Sequence, residues 1–472
     1  MNKEEICFLP AYKMAEMIQN QELSSLEITE AIIERIKKTN PIINAYCTPT
    51  FDLARKMAEQ ADKQVKEGKD TGLLNGVPVS IKDLMYTKGI RTTFGSLLYK
   101  DYVPEEDSID VARLKKAGCV ILGKTNTPEF GYAGVTHNKV FGETKNPWNL
   151  ERTSGGSSGG AGAAVASGIG PLALGSDGGG SIRHPSCFCG IFGLKPTFGR
   201  IPVYPSVGIS GYSISHHGPM TRYVKDAALM MDVMKGFHEL DRDSLPDEGI
   251  SYMEHISEKP KELRILFSLD LGHAKVLDPD VEKSVRDAVQ KVEQFGWTLD
   301  IPKKLRVKPP VIAFNTLYTS MYAYDLGSKL KKQRDLLDPN LIKLIEAGLT
   351  YPATALMNAF LKRRTFYEKM YKALKDYDVL ITPTTAIPAF ELGKMFPSKI
   401  NGVGVSPTGW QPFTWPFNLT GQPAATVPCG WSKDGLPFGL QIVGHRFADL
   451  LVLQVAQAFE ELSPWQDKRP KF

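Results

Sequence analysis

A run of small residues from Ser154 to Gly180 constrains this chain more than any other part of its sequence. The run opens with SGGSSGG at 154–160 and ends with three consecutive glycines at 178–180. Glycine and serine in this proportion are typical of flexible linkers, but they are also needed where a backbone passes close to a reacting group. A linker should lead into a new domain, whereas the small apolar residues that follow predict tightly packed helix and strand. The run therefore favours a loop inside one packed domain.

Helical and strand patterns alternate on both sides of this run. Ser24 and Glu27 predict a capping box at the start of a helix that ends before the Asn-Pro pair at 40–41. Apolar strands are predicted at 76–83, 119–123 and 377–384, and helices at 52–66, at 108–116 and from the Asp278 cap and Pro279 to Gly296. This alternation predicts a layered α/β fold. The polar stretch 237–262 predicts a surface excursion, and we expect one domain over residues 1–472.

Composition argues against several classes of protein. The net charge is only +5 and no dense block of Lys and Arg is present, so nucleic acid is not an expected partner. The start, MNKEEICFLP, lacks the apolar core of a signal peptide. The low-charge segment 155–175 is rich in glycine and contains Pro171, so no membrane association is expected. The cysteine spacing suggests neither a disulfide framework nor a zinc site, which favours buried free thiols and a cytoplasmic location. The six cysteines are Cys7, Cys47, Cys119, Cys187, Cys189 and Cys429.

Two matches to well-known catalytic patterns are not supported by their surroundings. GCVILGKT at 118–125 fits the phosphate-binding pattern G-x-x-x-x-G-K-[ST], but its bulky apolar residues are typical of a buried strand. GGSSG at 155–159 fits the nucleophile elbow G-x-S-x-G, but the preceding NPWNLERTS does not predict the hydrophobic strand that an elbow follows. His445 is the only histidine in the last third of the chain, and we interpret it as structural.

Three separated residues form a better catalytic candidate. Lys82 ends a predicted apolar strand, Ser157 lies in the glycine loop, and Ser181 follows DGGG. A serine after three glycines can present its hydroxyl beside free backbone N–H groups, as an oxyanion hole requires. A lysine at an apolar strand end loses its proton more readily than a solvated one and can serve as a base. A salt-bridged Lys82, with glycines needed only for packing, explains the same spacing equally well.

Motifs along nearly the whole chain closely resemble those of the amidase signature family. The resemblance implies a single-domain α/β/α layered fold around a central twisted mixed β-sheet, with the signature core at about 76–222. It also implies an amidase, a hydrolase of carbon–nitrogen bonds, without metal or organic cofactor. The matching segments are GVPVSIKD at 76–83, GKTNTPEFG at 123–131, GGSSGG at 155–160, GSDGGGSIR at 175–183, CGIFGLKPTFGR at 189–200, GPMTR at 218–222, YDVLITPT at 377–384 and GLPFGLQIVG at 435–444.

The same resemblance implies a Ser-Ser-Lys triad and an acyl-enzyme. Ser181 matches the nucleophile, Ser157 the bridging serine that follows a cis peptide bond, and Lys82 the base. Neutral Lys82 can take the Ser181 proton through the Ser157 hydroxyl, which donates and accepts at once. Lys82 must then be neutral near pH 7, although an ordinary lysine has a pKa of roughly 10.4.

Other residues of the signature are expected to support this triad. The oxyanion donors are expected to be the backbone N–H groups of the residues that end the small-residue run. We expect Asp177 and Arg183 to brace this loop and Ser158 to be a supporting hydrogen-bond partner. The expected oxyanion donors are Gly178, Gly179, Gly180 and Ser181.

The choice of amide substrate depends on charge. Family members hydrolyse amides, anilides, lactams and carbamates, and one is the glutaminase (A) subunit of glutamyl/aspartyl-tRNA amidotransferases. Three positions before the Thr of TWPFN, where such relatives have an acid, this chain has neutral Gln411, and His184 replaces a glutamine often found in that subunit. Arg363 or Arg364 can bind a carboxylate or be a solvated helix charge. We therefore expect a small to medium uncharged aliphatic amide, aryl amide or carbamate, and the glutaminase of the amidotransferase stays the alternative.

Pocket residues and partners are less constrained by the sequence. The segment 204–217 predicts a mobile flap, with His216 and His217 at the surface. The expected partner is a small-molecule amide, and the homodimers known in the family suggest a homodimer here. Candidate pocket residues are Phe130, Tyr204, Ile209, Trp410, Trp415 and Phe417.

Overall fold

Helices and strands alternate along the chain in the computed structural model, which describes residues 1–205, 214–302, 305 and 307–472. The α-helices in these residues are α1 (Lys3–Cys7), α2 (Ala11–Gln19), α3 (Ser25–Ile43), α4 (Phe51–Lys66), α5 (Ile109–Lys116), α6 (Gly159–Ala166), α7 (Arg183–Cys189), α8 (Val224–Met234), α9 (Tyr252–His255), α10 (Pro279–Gln290), α11 (Val311–Gln333), α12 (Pro339–Leu349), α13 (Ala353–Leu374), α14 (Trp415–Thr420) and α15 (Asp449–Leu462). The β-strands are β1 (Tyr46–Pro49), β2 (Pro78–Lys82), β3 (Val120–Thr125), β4 (His137–Asn138), β5 (Gly142–Glu143), β6 (Lys145–Asn146), β7 (Asn149–Thr153), β8 (Leu172–Asp177), β9 (Phe192–Lys195), β10 (His216–Thr221), β11 (Arg264–Phe267), β12 (Thr298–Asp300), β13 (Val379–Pro383), β14 (Lys399–Ile400), β15 (Val403–Gly404), β16 (Ala424–Trp431) and β17 (Pro437–Gly444).

One large sheet, flanked by helices, organises the described residues. Its eleven strands follow the order β1-β3-β2-β8-β10-β9-β16-β17-β13-β11-β12. The pairs β2–β3, β2–β8, β11–β12 and β11–β13 are parallel, and the other pairs are antiparallel. The predicted α/β fold with a central mixed sheet is therefore confirmed. None of the described helices is long and apolar enough to cross a membrane.

The strands at the candidate site are buried along their whole length. Every residue of β2, β3 and β8 is buried, which explains their near-continuous apolar sequences. In the parallel pair β2–β8, Val79 lies opposite Leu172 and Ile81 opposite Leu174. Because parallel strands end at the same edge, Lys82 at the end of β2 lies beside the end of β8.

The run of small residues is packed backbone. Residues 154–178 are all buried. An added Cβ at Gly159 would lie 2.4 Å from Thr136 Oγ1, and one at Gly160 would lie 2.4 Å from the backbone nitrogen of Asn126. Since larger side chains do not fit there, this run consists of loops, a helix and a strand inside the fold and is not a linker.

Several local predictions agree with the structure. Ser24 and Glu27 form the capping box of α3. Asp278 caps α10, with Pro279 at its first position, and a following 3₁₀ turn ends at Gly296. The segment that fits the phosphate-binding pattern is the buried strand β3.

Three local predictions were wrong. Helix α3 continues through Pro41 to Ile43, because burial of Ile43 and of the side chains before it outweighs the one hydrogen bond that proline lacks. A strand, β7, does precede the glycine loop, but it pairs only with β6 in a small separate sheet. Cys47 and Cys429 are free but only partly buried, unlike the other four cysteines.

The polar stretch 237–262 lies only in part at the surface. It contains the short helix α9. Phe237 and Leu240 are exposed, whereas Tyr252 and Ile256 are buried. The stretch is therefore anchored by apolar contacts at its C-terminal half.

Candidate active site

Lys82 lies at the centre of a cluster of serine hydroxyls. Its Nζ is 2.7 Å from Ser157 Oγ, 2.8 Å from Ser158 Oγ and 3.0 Å from Ser176 Oγ. The side chain is fully buried. Burial holds the pKa of Lys82 well below its usual value, and the negative charge of Asp177 opposes this shift only in part. The surroundings therefore favour a neutral amine.

The loop that carries Ser157 approaches the lysine from the glycine run. The peptide bond between Gly156 and Ser157 is cis, as the family resemblance implies. Ser157 is almost completely buried, and the backbone N–H of Ser158 donates to the Ser181 carbonyl at 3.1 Å. The structure thus ties together the two loops that carry the predicted bridging serine and the predicted nucleophile.

Two peptide units of the loop at 177–181 are fixed by hydrogen bonds. The Gly180 N–H donates to Asp177 Oδ1 at 2.7 Å, and the Gly180 carbonyl accepts from the His184 N–H at 2.7 Å. The prediction of Gly180 as an oxyanion donor needs correction, because its N–H already has a partner. The N–H groups of Gly178, Gly179 and Ser181 have no acceptor among the residues that the structure describes.

Asp177 and Arg183 form a buried ion pair beneath this loop. Arg183 Nη2 is 2.9 Å from Asp177 Oδ1, and Nε is 2.9 Å from Oδ2. Both side chains have zero exposure. Burial alone would raise the pKa of the Asp177 carboxyl, but the Arg183 charge and hydrogen bonds from Arg183 and Asn418 hold it far below its usual value. Arg183 also donates to the Thr414 carbonyl and to Gln441 Oε1, each at 2.8 Å.

A cavity of about 260 Å³ opens beside Ser157 and Ser181. One wall is aromatic and another presents neutral amide side chains. No Asp, Glu, Lys or Arg side chain lines it within the described part of the chain. The main lining residues are Ser157, Ser176, Gly178, Gly179, Ser181, His184, Phe314, Asn315, Tyr318, Asn340, Trp410, Gln411 and Trp415.

The predicted pocket residues divide into two groups. Trp410 and Trp415 line the cavity. Phe130 and Phe417 are buried in the core away from it, and Tyr204 is an exposed residue outside it. Ile209 lies outside the described residues, as does most of the predicted flap.

The two histidines at the end of the predicted flap are not at the surface. His216 and His217 are each only 3% exposed, so the surface prediction was wrong. They belong to β10 inside the sheet. Ring nitrogens of both are within hydrogen-bond distance of buried acceptors, the Ile214 carbonyl at 3.1 Å for His216 and Asp110 Oδ2 at 2.6 Å for His217.

The candidate carboxylate-binding arginines lie outside the cavity lining. Arg363 donates to the Leu419 carbonyl at 2.7 Å, and exposed Arg364 pairs with Glu368 on the same helix. His445 lies elsewhere too, with its Nε2 2.8 Å from the Tyr377 carbonyl.

Sequence reasoning missed several residues that contact the site. Ser176 contacts Lys82 and lines the cavity, and its position directly before Asp177 in β8 was the available signal. Thr414 and Asn418 contact the loop and the ion pair from α14 and its N-terminus. Both belong to TWPFN at 414–418, three residues after Gln411, and this motif was the available signal.

Comparisons with known proteins find similar chains over nearly the whole length of the sequence. A family model described as Amidase matches residues 27–453. The chain is 39% identical over 474 residues to an acylamidase from Rhodococcus erythropolis, covering 100% of this chain and 98% of that protein. It is 36% identical over 490 residues to the A-subunit of a glutamyl-tRNA(Gln) amidotransferase from Moorella thermoacetica, covering 99% of each. The crystal structure of a bacterial aryl acylamidase superimposes with a TM-score of 0.90 at 30% identity, covering 98% of this chain and 97% of that one.

Proposed function

The chain belongs to the amidase signature family of enzymes, which act on carbon–nitrogen bonds, and we propose that it hydrolyses small to medium uncharged amides. In this proposal Ser181 is the nucleophile, Ser157 the bridging serine and Lys82 the base. The substrates are aliphatic amides, aryl amides or carbamates.

The choice of substrate rests on the described lining of the cavity. Burying an ammonium or a carboxylate without a partner is costly. The described lining contains no ionised side chain, and its largest groups are Trp410, Trp415, Phe314 and Tyr318. An apolar or aryl acyl group fits such a wall.

The hydrogen bonds around Lys82 support its role as base. A neutral amine has two N–H groups and one lone pair. The Ser158 hydroxyl lies 3.2 Å from the Ser176 carbonyl oxygen and can donate its one proton there. Ser158 Oγ then acts as an acceptor for one N–H of Lys82. If Ser176 Oγ accepts the second N–H, the lone pair is left for the Ser157 hydroxyl at 2.7 Å.

These groups complete a balanced acyl-transfer cycle. Ser181 Oγ bonds to the substrate carbonyl carbon while its proton passes through Ser157 to Lys82. The oxyanion that forms accepts from free backbone N–H groups such as those of Gly179 and Ser181. The C–N bond then breaks, and the proton returns to the leaving nitrogen. Water hydrolyses the acyl-enzyme by the same proton route, which releases the acid and restores Ser181.

A glutaminase of a tRNA amidotransferase is the alternative, since relatives of that name are nearly as similar. Such a glutaminase must hold the ammonium and the carboxylate of glutamine. The neutral Gln411 in the cavity and the position of Arg363 and Arg364 outside it argue against this role.

Hydrolysis by the purified chain alone tests the proposal. We would measure amine or ammonia release from a primary aliphatic amide, an acylanilide, an aryl carbamate and glutamine, with Ser181→Ala as the matched inactive variant. We expect the neutral substrates to be cleaved and the variant to lose at least about 10³-fold in rate. Cleavage of glutamine alone, or activity only after partner proteins are added, would overturn the proposal.

A further inference from the structure

His184 and Thr414 connect the aromatic wall of the cavity to the backbone of the oxyanion loop. His184 is 1% exposed, and its ring lies against Trp410 with centroids 4.8 Å apart. Its Nε2 is 2.7 Å from Thr414 Oγ1. Thr414 Oγ1 in turn is 2.8 Å from the Gly179 carbonyl oxygen. The two side chains therefore form a chain of hydrogen bonds that ends on the loop.

The peptide unit between Gly179 and Gly180 is held at both of its polar ends. Its carbonyl accepts from Thr414, and its N–H donates to Asp177. A Cβ at Gly180, where φ is +133°, would lie 2.2 Å from His184 Nε2, so the imidazole ring sits directly against the loop. This peptide unit lies between the two N–H groups proposed to bind the oxyanion, those of Gly179 and Ser181.

One arrangement of the protons fits the distances. A threonine hydroxyl has one proton, and the 2.8 Å distance between Thr414 Oγ1 and the Gly179 carbonyl oxygen fits its donation there. In this arrangement the His184 tautomer that is protonated on Nε2 donates to Thr414. Burial lowers the pKa of His184 to about 3, so the ring is neutral at the pH of catalysis and does not titrate there.

We propose that His184 and Thr414 are positioning residues that hold the oxyanion loop in its catalytic conformation through the Gly179 carbonyl. The inference rests on the proposed function, because it assumes that the neighbouring N–H groups stabilise an oxyanion. Misplaced donors weaken an interaction that is strongest in the transition state, so kcat should fall while KM changes little.

Variants of Thr414 separate this role from simple packing. We would measure kcat and KM of the full chain on an acylanilide. We expect Thr414→Val to lower kcat about tenfold and to leave KM within about twofold of the wild-type value. This loss in kcat is smaller than the loss of about 10²–10³-fold that follows deletion of an oxyanion donor, because the donors are misplaced and not removed. Thr414→Ser, which keeps the hydroxyl, should stay within about threefold of wild type.

Thr420→Val is the matched control. Thr420 is buried in α14 and its hydroxyl has no hydrogen-bond partner among the described residues. This variant should leave kcat unchanged. Equal kcat values for Thr414→Val and Thr420→Val would overturn the inference.

Variants of His184 test whether a hydrogen bond to Thr414 is needed. His184→Gln retains a donor and should keep more activity than His184→Leu. The double variant His184→Leu with Thr414→Val should be no slower than the slower single variant, since both act through one bond. The pH profile of kcat should keep its wild-type shape in each. Loss of its acid limb in His184→Leu would make His184 a proton-transfer group and contradict the positioning role.

The wild-type enzyme and Ser181→Ala separate failure of this inference from failure of the proposed function. If wild type cleaves the acylanilide, Ser181→Ala does not, and Thr414→Val matches wild type, only the positioning role is wrong. If wild type cleaves only glutamine, the proposed substrate class is wrong. The Thr414→Val and Thr420→Val pair is then compared on glutamine, and the same difference in kcat would support the positioning role and its absence would overturn it.

Discussion

Lys82 is a buried lysine surrounded by hydroxyls, with no carboxylate in contact with its Nζ among the described residues. The depressed pKa of its ammonium follows mainly from loss of hydration. Asp177 is buried as deeply but keeps its charge, because Arg183 pairs with both of its carboxylate oxygens. Two neighbouring buried residues therefore differ in charge because only one of them has an ionic partner.

Replacing Lys82 by arginine tests the need for a neutral base. A guanidinium stays protonated to above about pH 12, so Lys82→Arg should lose at least about 10³-fold in kcat/KM. The wild-type value should rise with pH through the Lys82 pKa, below the usual lysine range, because only the neutral form accepts a proton. The measurement is a pH–rate profile of both proteins. Exposed Lys283→Arg is the control, and near-wild-type activity of Lys82→Arg would contradict the base role.

Arg183→Met tests the buried ion pair. Removing one partner of such a pair costs about 3–5 kcal/mol, since the other charge is left unpaired. Arg364→Met removes an exposed pair and should cost no more than about 1 kcal/mol. Urea denaturation at neutral pH measures both, and equal losses would contradict the account.

The loss of stability in Arg183→Met should depend on pH, and the direction of this dependence follows from the pKa of Asp177. Without Arg183, burial raises the pKa of Asp177, so protonation as the pH falls removes the unpaired charge and the deficit of Arg183→Met should shrink. In the wild type the Asp177 pKa lies below its unfolded value. The stability from this pair is then fully present above an unfolded pKa of about 3.9 and is lost only in stronger acid.

At the scale of single residues, the sequence motifs predicted which residues form the site better than they predicted the hydrogen bonds between those residues. Lys82 and Ser157 were predicted as neighbours, and the structure places their side chains in contact. The partner of the Gly180 N–H depends on the orientation of one peptide unit, which no sequence pattern specifies. Ser176 and Thr414 act through single hydroxyls, and such residues look like any other buried serine or threonine.

At the scale of elements, helix α6 shows how close packing overrides intrinsic preference. Its sequence GGAGAAVA is short and rich in glycine, a poor helix former. Every residue of the helix is buried, and backbone from elsewhere approaches its first turn. Helix α3 shows the same balance at Pro41, where packing extended the helix beyond its predicted end. The sequence periodicity predicted whether a segment is a helix or a strand. It did not predict the ends of those helices that are set by tertiary contacts, such as the end of α3.

Gly160→Ala tests this packing. Alanine would favour a helix by about 1 kcal/mol. Its Cβ, however, would lie 2.4 Å from the Asn126 nitrogen and 2.6 Å from the Ala45 carbonyl oxygen, and neither backbone atom can move freely. We expect a net destabilisation of about 1–3 kcal/mol in urea denaturation.

Gly404→Ala is the matched control. Its Cβ would meet no atom within 4 Å, so its stability should stay close to wild type. An increase in stability for Gly160→Ala would show that propensity dominates instead.

At the scale of the whole molecule, strands from the two halves of the sequence share one sheet. Strand β9, at residues 192–195, pairs with β16, at residues 424–431. Arg183 contacts Thr414, Asn418 and Gln441, which lie 231, 235 and 258 residues further along the chain. The alternation of helices and strands predicted the fold class, but long-range strand order is not encoded in local periodicity.

The uncharged cavity has a consequence for how substrate arrives. Charged clefts concentrate oppositely charged substrates by long-range attraction, which dissolved ions screen. Here the net charge of +5 is spread over the chain and no ionised side chain lines the cavity in its described part. We expect kcat/KM for a neutral amide to change by less than about twofold between about 0.02 M and about 0.5 M sodium chloride. A steep fall would show that salt acts on the enzyme itself, because a neutral substrate has no net charge for a long-range field to steer. Its absence would mean that encounters with substrate depend on diffusion and shape alone.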